Sequence, residues 1–134
     1  MKSSLDLEHD ELRRLMDEFR PVMPGGPEAD STRMAQLRIR FSDLFRKHMS
    51  HEHTAFRALR SDRPGCPVDA AVQEHADRTR ELFLGYSAHV NRWSLRQIEQ
   101  DQEGYRESVF ALQRACRAQM AWEERKLHPL VAKN

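Results

Sequence analysis

Helical periodicity runs through the whole chain, and at one level it places ionisable side chains where leucine would be expected. Apolar residues recur at steps of three and four along four segments, which predicts amphipathic helices, and no run of β-branched residues alternates with polar ones. Two stretches interrupt the apolar stripes in the same way: residues 48–52 read His-Met-Ser-His-Glu and residues 119–123 read Gln-Met-Ala-Trp-Glu. Because a lone buried carboxylate is very unfavourable, a partner must hold these groups inside the fold.

Breaks rich in proline and glycine divide the chain into four predicted helices. The expected bounds are residues 4–20 with Ser4 as N-cap, residues 30–60, residues 68–98, and a last helix that begins between residues 101 and 105 and ends before Pro129. Short or moderate loops between these helices predict an all-α, up-down-up-down four-helix bundle. With 134 residues, the chain is expected to form one domain that spans residues 1–134.

The polar exceptions to the apolar stripes are expected to share one level, toward one end of the bundle. They are His9 in the first helix, His48 and Glu52 in the second, His75 in the third, and Gln119 and Glu123 in the fourth. Residues four apart lie about 6 Å from each other on one helical face, so both members of each pair can reach one centre. The chain therefore reads as two duplicated helix pairs, residues 4–60 and 68–127. Each pair supplies one ligand from its first helix and two from its second.

This donor set predicts a metal site. Imidazole and carboxylate without thiolate suit iron, manganese or zinc better than copper(I), and two carboxylates between two ligand clusters can bridge two ions. Helical bundles hold paired iron or manganese with inward Glu and His side chains, so we predict non-haem iron in a two-metal site, with manganese or zinc as alternatives. Buried salt bridges are the competing explanation for Glu52 and Glu123, but no Lys or Arg lies in the core stripes to supply the cation.

The chain resembles the hemerythrin-like, HHE cation-binding domains over essentially its whole length. The resemblance rests on Glu8-His9, His48-x-x-x-Glu52, Glu74-His75, and Glu123 with the Ala-Trp-Glu-Glu sequence around it. It implies a four-helix bundle with a di-iron centre. As ligands it implies His9, His48, Glu52, His75 and Glu123, with Glu52 and Glu123 as the bridging carboxylates.

Gln119 departs from the family pattern, which has a histidine at this position. An amide oxygen carries no charge and is a poorer iron ligand than imidazole. The site is therefore open to several states: two unequal metals, one metal, two metals with water in the gap, or an open position for O₂, NO or peroxide. The oxygen-carrying hemerythrins are less similar, because they have a His-x-x-x-His pair in the third helix, where position 79 here is threonine. Their last helix also ends the site with an Asp at a longer spacing, which is not seen in this sequence.

The resemblance implies an iron protein that interacts with O₂, NO or peroxide, in sensing, storage, or the response to oxidative or nitrosative stress. Two alternatives stay open. One is a redox enzyme that acts on a small oxidant, although no residue is predicted to be catalytic and a binding role is favoured. The other is a degenerate bundle with a mononuclear or absent metal site that serves as an interaction module.

Charge, apolar content and cysteine count limit the expected partners, the cellular location and the kind of site. The 22 basic and 21 acidic residues give a net charge of +1, so neither nucleic acid nor an anionic membrane is predicted as a partner. The N-terminus has no apolar signal region and no stretch approaches about 20 apolar residues, which predicts a cytoplasmic protein. Cys66 and Cys116 are too few and too far apart for a disulfide framework or a zinc-ligand spacing. The oligomeric state is left open between monomer and dimer.

Several other polar residues have simpler interpretations. His89 is expected to be structural, because fourteen residues of helix place it about 21 Å from His75. His128 precedes a proline and is interpreted as a feature of the helix C-terminus. Glu8 is interpreted as an exposed acid near a helix start. Cys116 is interpreted as a small core residue, with the alternative that its thiol replaces the missing fourth-helix ligand.

Overall fold

The computed structural model of the chain describes residues 2–61 and 65–132. These residues form six helices and no strand, which confirms the all-α prediction. The helices are α1 Ser4–Val22, α2 Ser31–Arg57, α3 Pro67–Arg92, α4 Leu95–Gln100, α5 Gln102–Lys126 and α6 His128–Ala132. Four of them are long, and the short helices α4 and α6 were not predicted. Residues 62–64 of the predicted break between the second and third helices lie outside the described residues.

Neighbouring long helices run in opposite directions. The contacts that show it are His9–His48 and Glu18–Arg33 between α1 and α2, His75–Glu123 and His89–Ser108 between α3 and α5, and His9–Glu124 and Arg20–Gln113 between α1 and α5. In each pair of helices the residue numbers rise along one helix while they fall along the other. As a result, the start of α1, the end of α2, the start of α3 and the end of α5 lie at the same end of the bundle.

The caps of the first two helices are set by side chains that accept backbone hydrogen bonds. Ser3, not the predicted Ser4, caps α1, because its hydroxyl accepts from the backbone N–H of Asp6. Asp30 caps α2 as predicted, with its carboxylate accepting from the N–H of Arg33. α2 ends at Arg57, three residues earlier than predicted. These shifts fall at helix ends and leave the facing side chains of each helix unchanged.

The third helix was predicted to continue to Ile98, but α3 ends at Arg92 and α4 begins at Leu95. Ser94 caps α4, and its hydroxyl accepts from the N–H of Gln97. The break allows Trp93 and Ile98 to be buried together beside Tyr105, in the apolar cluster at the end of the bundle that is remote from the His and Glu residues. Burial of these two large side chains therefore outweighs the continuous helix that the local pattern favours.

Two apolar layers enclose the polar level of the bundle. The inner layer is formed by Leu12, Met16, Phe45, Cys116 and Met120. The layer that closes the end is formed by Leu5, Phe56, Val72, Trp122 and Leu127, with Leu130 and Val131 of α6 packed against it. In α1 and α2 the polar residues fall between these two layers in sequence, with His9 between Leu5 and Leu12, and His48 and Glu52 between Phe45 and Phe56. Within the described residues, no helix is long and apolar enough to cross a membrane.

Candidate metal centre

Four buried side chains form the centre of the polar level. His9, His48, Glu52 and Glu123 each present a nitrogen or oxygen atom to one place, and these atoms all lie within 4.8 Å of one another. His9 has no exposed surface, and the other three are 2–3% exposed. The cluster brings together residues from three helices that are far apart in the chain, as the spacing of the sequence predicts.

The Glu52 carboxylate faces imidazoles with both of its oxygens. Oε2 lies 3.1 Å from Nε2 of His48, 3.5 Å from Nε2 of His9 and 2.9 Å from Nε2 of His128. Oε1 lies 3.5 Å from Nε2 of His75. Glu52 thus lies between three imidazoles, which face Oε2, and the single imidazole of His75, which faces Oε1.

The Glu123 carboxylate is divided in the same way. Its Oε1 lies 3.1 Å from Nε2 of His9, and its Oε2 accepts a hydrogen bond of 2.9 Å from Nε2 of His75. Both carboxylates therefore direct one oxygen to the His9 side of the cluster and one to the His75 side. Carboxylates that bridge two ions need such a division, and the resemblance implies this role for Glu52 and Glu123.

Gln119 belongs to the His75 side. Its side chain is 7% exposed, and its amide nitrogen donates to Oε2 of Glu123 over 3.1 Å. Thr79, one turn after His75, places its hydroxyl oxygen 3.3 Å from Nε2 of that histidine. The structure therefore brings all six predicted site residues together, but the His75 side has only one imidazole.

The donor atoms fit a metal ion. Two ligand atoms that are each about 2.1 Å from one ion lie about 3.0–3.4 Å apart in octahedral or tetrahedral geometry, close to the separations seen here. Nε2 of His9 and Nε2 of His48 are buried and have no hydrogen-bond partner among the described residues. Since an unpaired buried nitrogen is unfavourable, a cation between these nitrogens and the carboxylates accounts for their position.

Outer carboxylates orient the imidazoles through their second nitrogens. Nδ1 of His9 lies 2.7 Å from Glu124, Nδ1 of His48 lies 2.8 Å from Glu8, and Nδ1 of His128 lies 2.6 Å from Asp6. Such a carboxylate holds the proton on Nδ1 and leaves Nε2 free to bind a metal.

Glu8 was interpreted from the sequence as an exposed acid near a helix start, and this was wrong. It is half-buried, and its second oxygen pairs with Nδ1 of the exposed His51 over 2.6 Å. The reason is that α1 lies against α2 in antiparallel register, which turns Glu8 toward His48 and not toward solvent.

His128 is the site residue that sequence reasoning missed. It was interpreted as a feature of the helix C-terminus, but it is 2% exposed and its Nε2 donates to Glu52. α5 ends at Lys126, and Pro129 is the second residue of α6, where a proline is tolerated in a first helical turn. The helix is interrupted at Leu127, and the His128 ring lies against that of His9, with 4.6 Å between their centroids.

The cluster strongly changes the proton affinity of its members. Burial alone lowers the pKa of His9, but the adjacent carboxylates of Glu123, Glu52 and Glu124 outweigh it and raise the pKa to about 10. Burial likewise opposes the carboxylates around His75, whose pKa rises to about 9. Although burial favours the neutral acid, the imidazoles around Glu52 hold the pKa of its carboxyl well below the usual range. Without a metal, cationic imidazoles therefore compensate the buried carboxylates.

Cys116 and His89 lie beside an apolar cavity of about 80 Å³ between the helices. The cavity shares Phe45, Leu82 and Cys116 with a smaller pocket that reaches His48, Glu52, Gln119 and Glu123. His89 is in the remote part, where it pairs with the hydroxyl of Ser108, as expected of a structural histidine. Burial raises the pKa of the Cys116 thiol to about 12, so this side chain is a neutral thiol in the metal-free fold.

Comparison with known proteins gives one match. The family model described as the hemerythrin HHE cation-binding domain matches residues 2–132. No curated protein and no solved structure matches the chain.

Proposed function

The chain belongs to the hemerythrin HHE cation-binding domain family, and on that premise we propose that it binds a pair of non-haem iron ions that interact with O₂, NO or peroxide. The proposed roles are sensing or storage of the small molecule, or protection against oxidative or nitrosative stress. The proposed ligands are His9, His48, Glu52, His75 and Glu123, with Gln119 as a weak donor or a neighbour.

One observation carries this proposal. Nε2 of His9 and Nε2 of His48 are buried without a hydrogen-bond partner among the described residues, and both face carboxylates whose other oxygens face His75. In a purely structural salt-bridge cluster, hydrogen bonds would link these nitrogens to the carboxylates, whereas here the nitrogens lie at ion-pair distance without a hydrogen bond. Nitrogen and carboxylate oxygen donors without thiolate favour iron over copper(I), and two shared carboxylates favour two ions over one.

The residues of the chain have separable tasks around the ions. Glu52 and Glu123 would hold the ions and offset their positive charge. Glu124 and Glu8 hold the imidazoles of His9 and His48 in the tautomer that leaves Nε2 free. When bound, iron supplies Lewis acidity and access to two oxidation states, which the side chains lack.

The interior supports a small, neutral ligand. The cavity of about 80 Å³ is lined mainly by apolar side chains, and it meets the pocket at the centre through Phe45, Leu82 and Cys116. A water molecule takes about 30 Å³ in the liquid, so a diatomic molecule fits into such a space. Apolar walls favour O₂ and NO over ions, because a charged species loses its hydration on entry.

Iron loading tests the proposal. The metal-free chain is incubated anaerobically with excess Fe(II), desalted and analysed for iron, in parallel with Mn(II) and Zn(II). We expect close to two irons per chain, and NO should change the visible spectrum of the loaded protein. His48→Gln should lower the iron content, whereas His53→Gln, which alters an exposed histidine of the same helix, should not. Failure of the wild-type chain to retain iron above the level of His48→Gln would exclude the proposal.

Gln119 supports a second candidate in which only one ion is bound tightly. Its amide nitrogen donates to Glu123, so one oxygen of that carboxylate is already engaged by an amide on the His75 side. An iron content near one per chain, unchanged by a large excess of iron, would favour this candidate. Steady turnover of peroxide by the loaded protein would instead favour the redox enzyme.

A further inference from the structure

We propose that His128 is a metal ligand, so that one metal position has three imidazoles and the His75 position is the open one. This inference rests on the proposed metal-binding function. It adds a ligand from α6, outside the helices that carry the five ligands implied by the resemblance. Nε2 of His128 lies 2.9 Å from Oε2 of Glu52, the same oxygen that faces Nε2 of His48 at 3.1 Å and Nε2 of His9 at 3.5 Å.

His128 has the same pattern of contacts as His9 and His48. In His9, His48 and His128 alike, Nε2 points to the centre and Nδ1 contacts an outer carboxylate. For His128 that carboxylate is Asp6, 2.6 Å away. An outer carboxylate fixes the tautomer and raises the basicity of a ligating imidazole, so Asp6 prepares His128 for a metal in the way Glu124 prepares His9.

The ring of His128 is held rigidly at the centre. It packs on the ring of His9 with 4.6 Å between the centroids, and it lies 6.0 Å from the ring of Phe56. The preceding residue, Leu127, is fully buried in the apolar layer that closes the bundle. A ligand held by packing on both sides does not need to be ordered when the ion binds.

His128 does not fill the position left by Gln119. Gln119 and His75 both contact Oε2 of Glu123, whereas His128 contacts Oε2 of Glu52, the oxygen directed to the His9 side. The third imidazole therefore joins the position that already has two. The position of His75 keeps one imidazole, the two shared carboxylates and an amide.

The difference in the number of imidazoles predicts that the two metal positions differ in affinity. The three-imidazole position has more strong donors and should fill first and more tightly. The His75 position has fewer, and Thr79 and Gln119 beside it line part of the pocket that joins the apolar cavity.

Metal titration of variants tests the inference. Wild-type protein and His128→Gln are titrated with Fe(II) under anaerobic conditions, and with Zn(II) as an ion without redox chemistry, against a competing chelator. We expect two affinities in the wild type, and in His128→Gln a loss of about tenfold or more in the tighter affinity alone, the scale seen when the surroundings of a metal ligand are altered. His53→Gln serves as the matched control and should leave both affinities unchanged. An unchanged tighter affinity in His128→Gln would overturn the inference.

A structural role for His128 predicts a different result. If the residue only anchors α6, His128→Gln would lower the thermal stability of the metal-free chain and leave metal affinity intact, which would overturn the inference. His128→Gly provides a second test, because free imidazole can enter the space of the missing ring. We expect added imidazole to restore the tighter affinity, and restoration of stability without affinity would contradict a ligand role. Absence of any metal binding by the wild type would instead overturn the proposed function itself.

Discussion

Replacement of Glu52 by glutamine is expected to destabilise the metal-free protein strongly. Glu52 is 2% exposed, and imidazoles of four histidines face its carboxylate within 2.9–3.5 Å. His9, with a pKa of about 10, and His75, with a pKa of about 9, are cationic at pH 7. Glutamine has nearly the same shape, so Glu52→Gln removes the compensating charge and leaves the packing almost unchanged.

The size of the effect follows from the burial of the charges. Removal of one partner from a buried ion pair costs about 3–5 kcal/mol, which is a large part of the roughly 5–15 kcal/mol that stabilises a typical domain. For a chain of this length, each kcal/mol corresponds to roughly 3–4 °C in melting temperature, so Tm should fall by about 10–20 °C.

Urea denaturation followed by circular dichroism measures the difference at pH 7, with a chelator present to keep both proteins metal-free. Glu74→Gln is the matched control, because Glu74 is exposed and pairs with Arg78 one turn away, and such a pair contributes only about 0.3–0.5 kcal/mol. A loss below about 1 kcal/mol in Glu52→Gln would refute the view that the centre is a buried cluster of compensating charges.

Three further predictions concern Gln119, the two cysteines and His89. Gln119→His should raise the metal affinity of the weaker position about tenfold or more, because it adds an imidazole beside Glu123. Competition with a chelator measures this affinity, and an unchanged value would show that residue 119 is not at a ligand position. A thiol reagent at pH 8 should label Cys66 faster than Cys116, because hydrogen bonds to the thiolate lower the pKa of Cys66, whereas the buried Cys116 has a pKa of about 12. Cys116 should react only after urea is added, and equal labelling rates measured by mass spectrometry would contradict this. Burial, assisted by the nearby charge of Arg38, lowers the pKa of His89 in the folded chain. As pH falls through 6.5, the unfolded chain takes up a proton at this histidine before the folded chain does, so the stabilising contribution of His89 is lost below that pH. The unfolding free energy of His89→Gln should therefore decline less than that of the wild type between about pH 7 and 5, and parallel curves would be inconsistent with this.

Local sequence patterns are enough to predict much of the candidate metal centre. Steps of three and four residues identify the buried face of each long helix, and the spacing of His48 and Glu52 places both on one face. Antiparallel packing of neighbouring helices then brings the start of α1 beside the end of α5. These inferences succeed because helix geometry is nearly invariant, so position along the chain determines position on the face.

The outer partners of the imidazoles depend on how the helices rotate and pack. Glu8 lies next to His9 in sequence, yet it pairs with His48 on another helix, and it is Glu124 of α5 that pairs with His9. Adjacent helical residues point about 100° apart, so Glu8 reaches a different neighbour from His9. Which neighbour it reaches is decided by the contact between α1 and α2, which periodicity alone does not specify.

What the sequence by itself determined is the helical class, the faces of the long helices and the level at which six polar residues meet. Only the tertiary structure decided that α3 ends at Arg92, because Trp93 and Ile98 gain more from burial around Tyr105 than from a continued helix. It also decided that His128 enters the centre, because the helix is interrupted at Leu127, whose side chain is buried in the apolar layer that closes the bundle. Both outcomes arise from contacts between residues distant in sequence, whose free energy outweighs the local preference of the backbone.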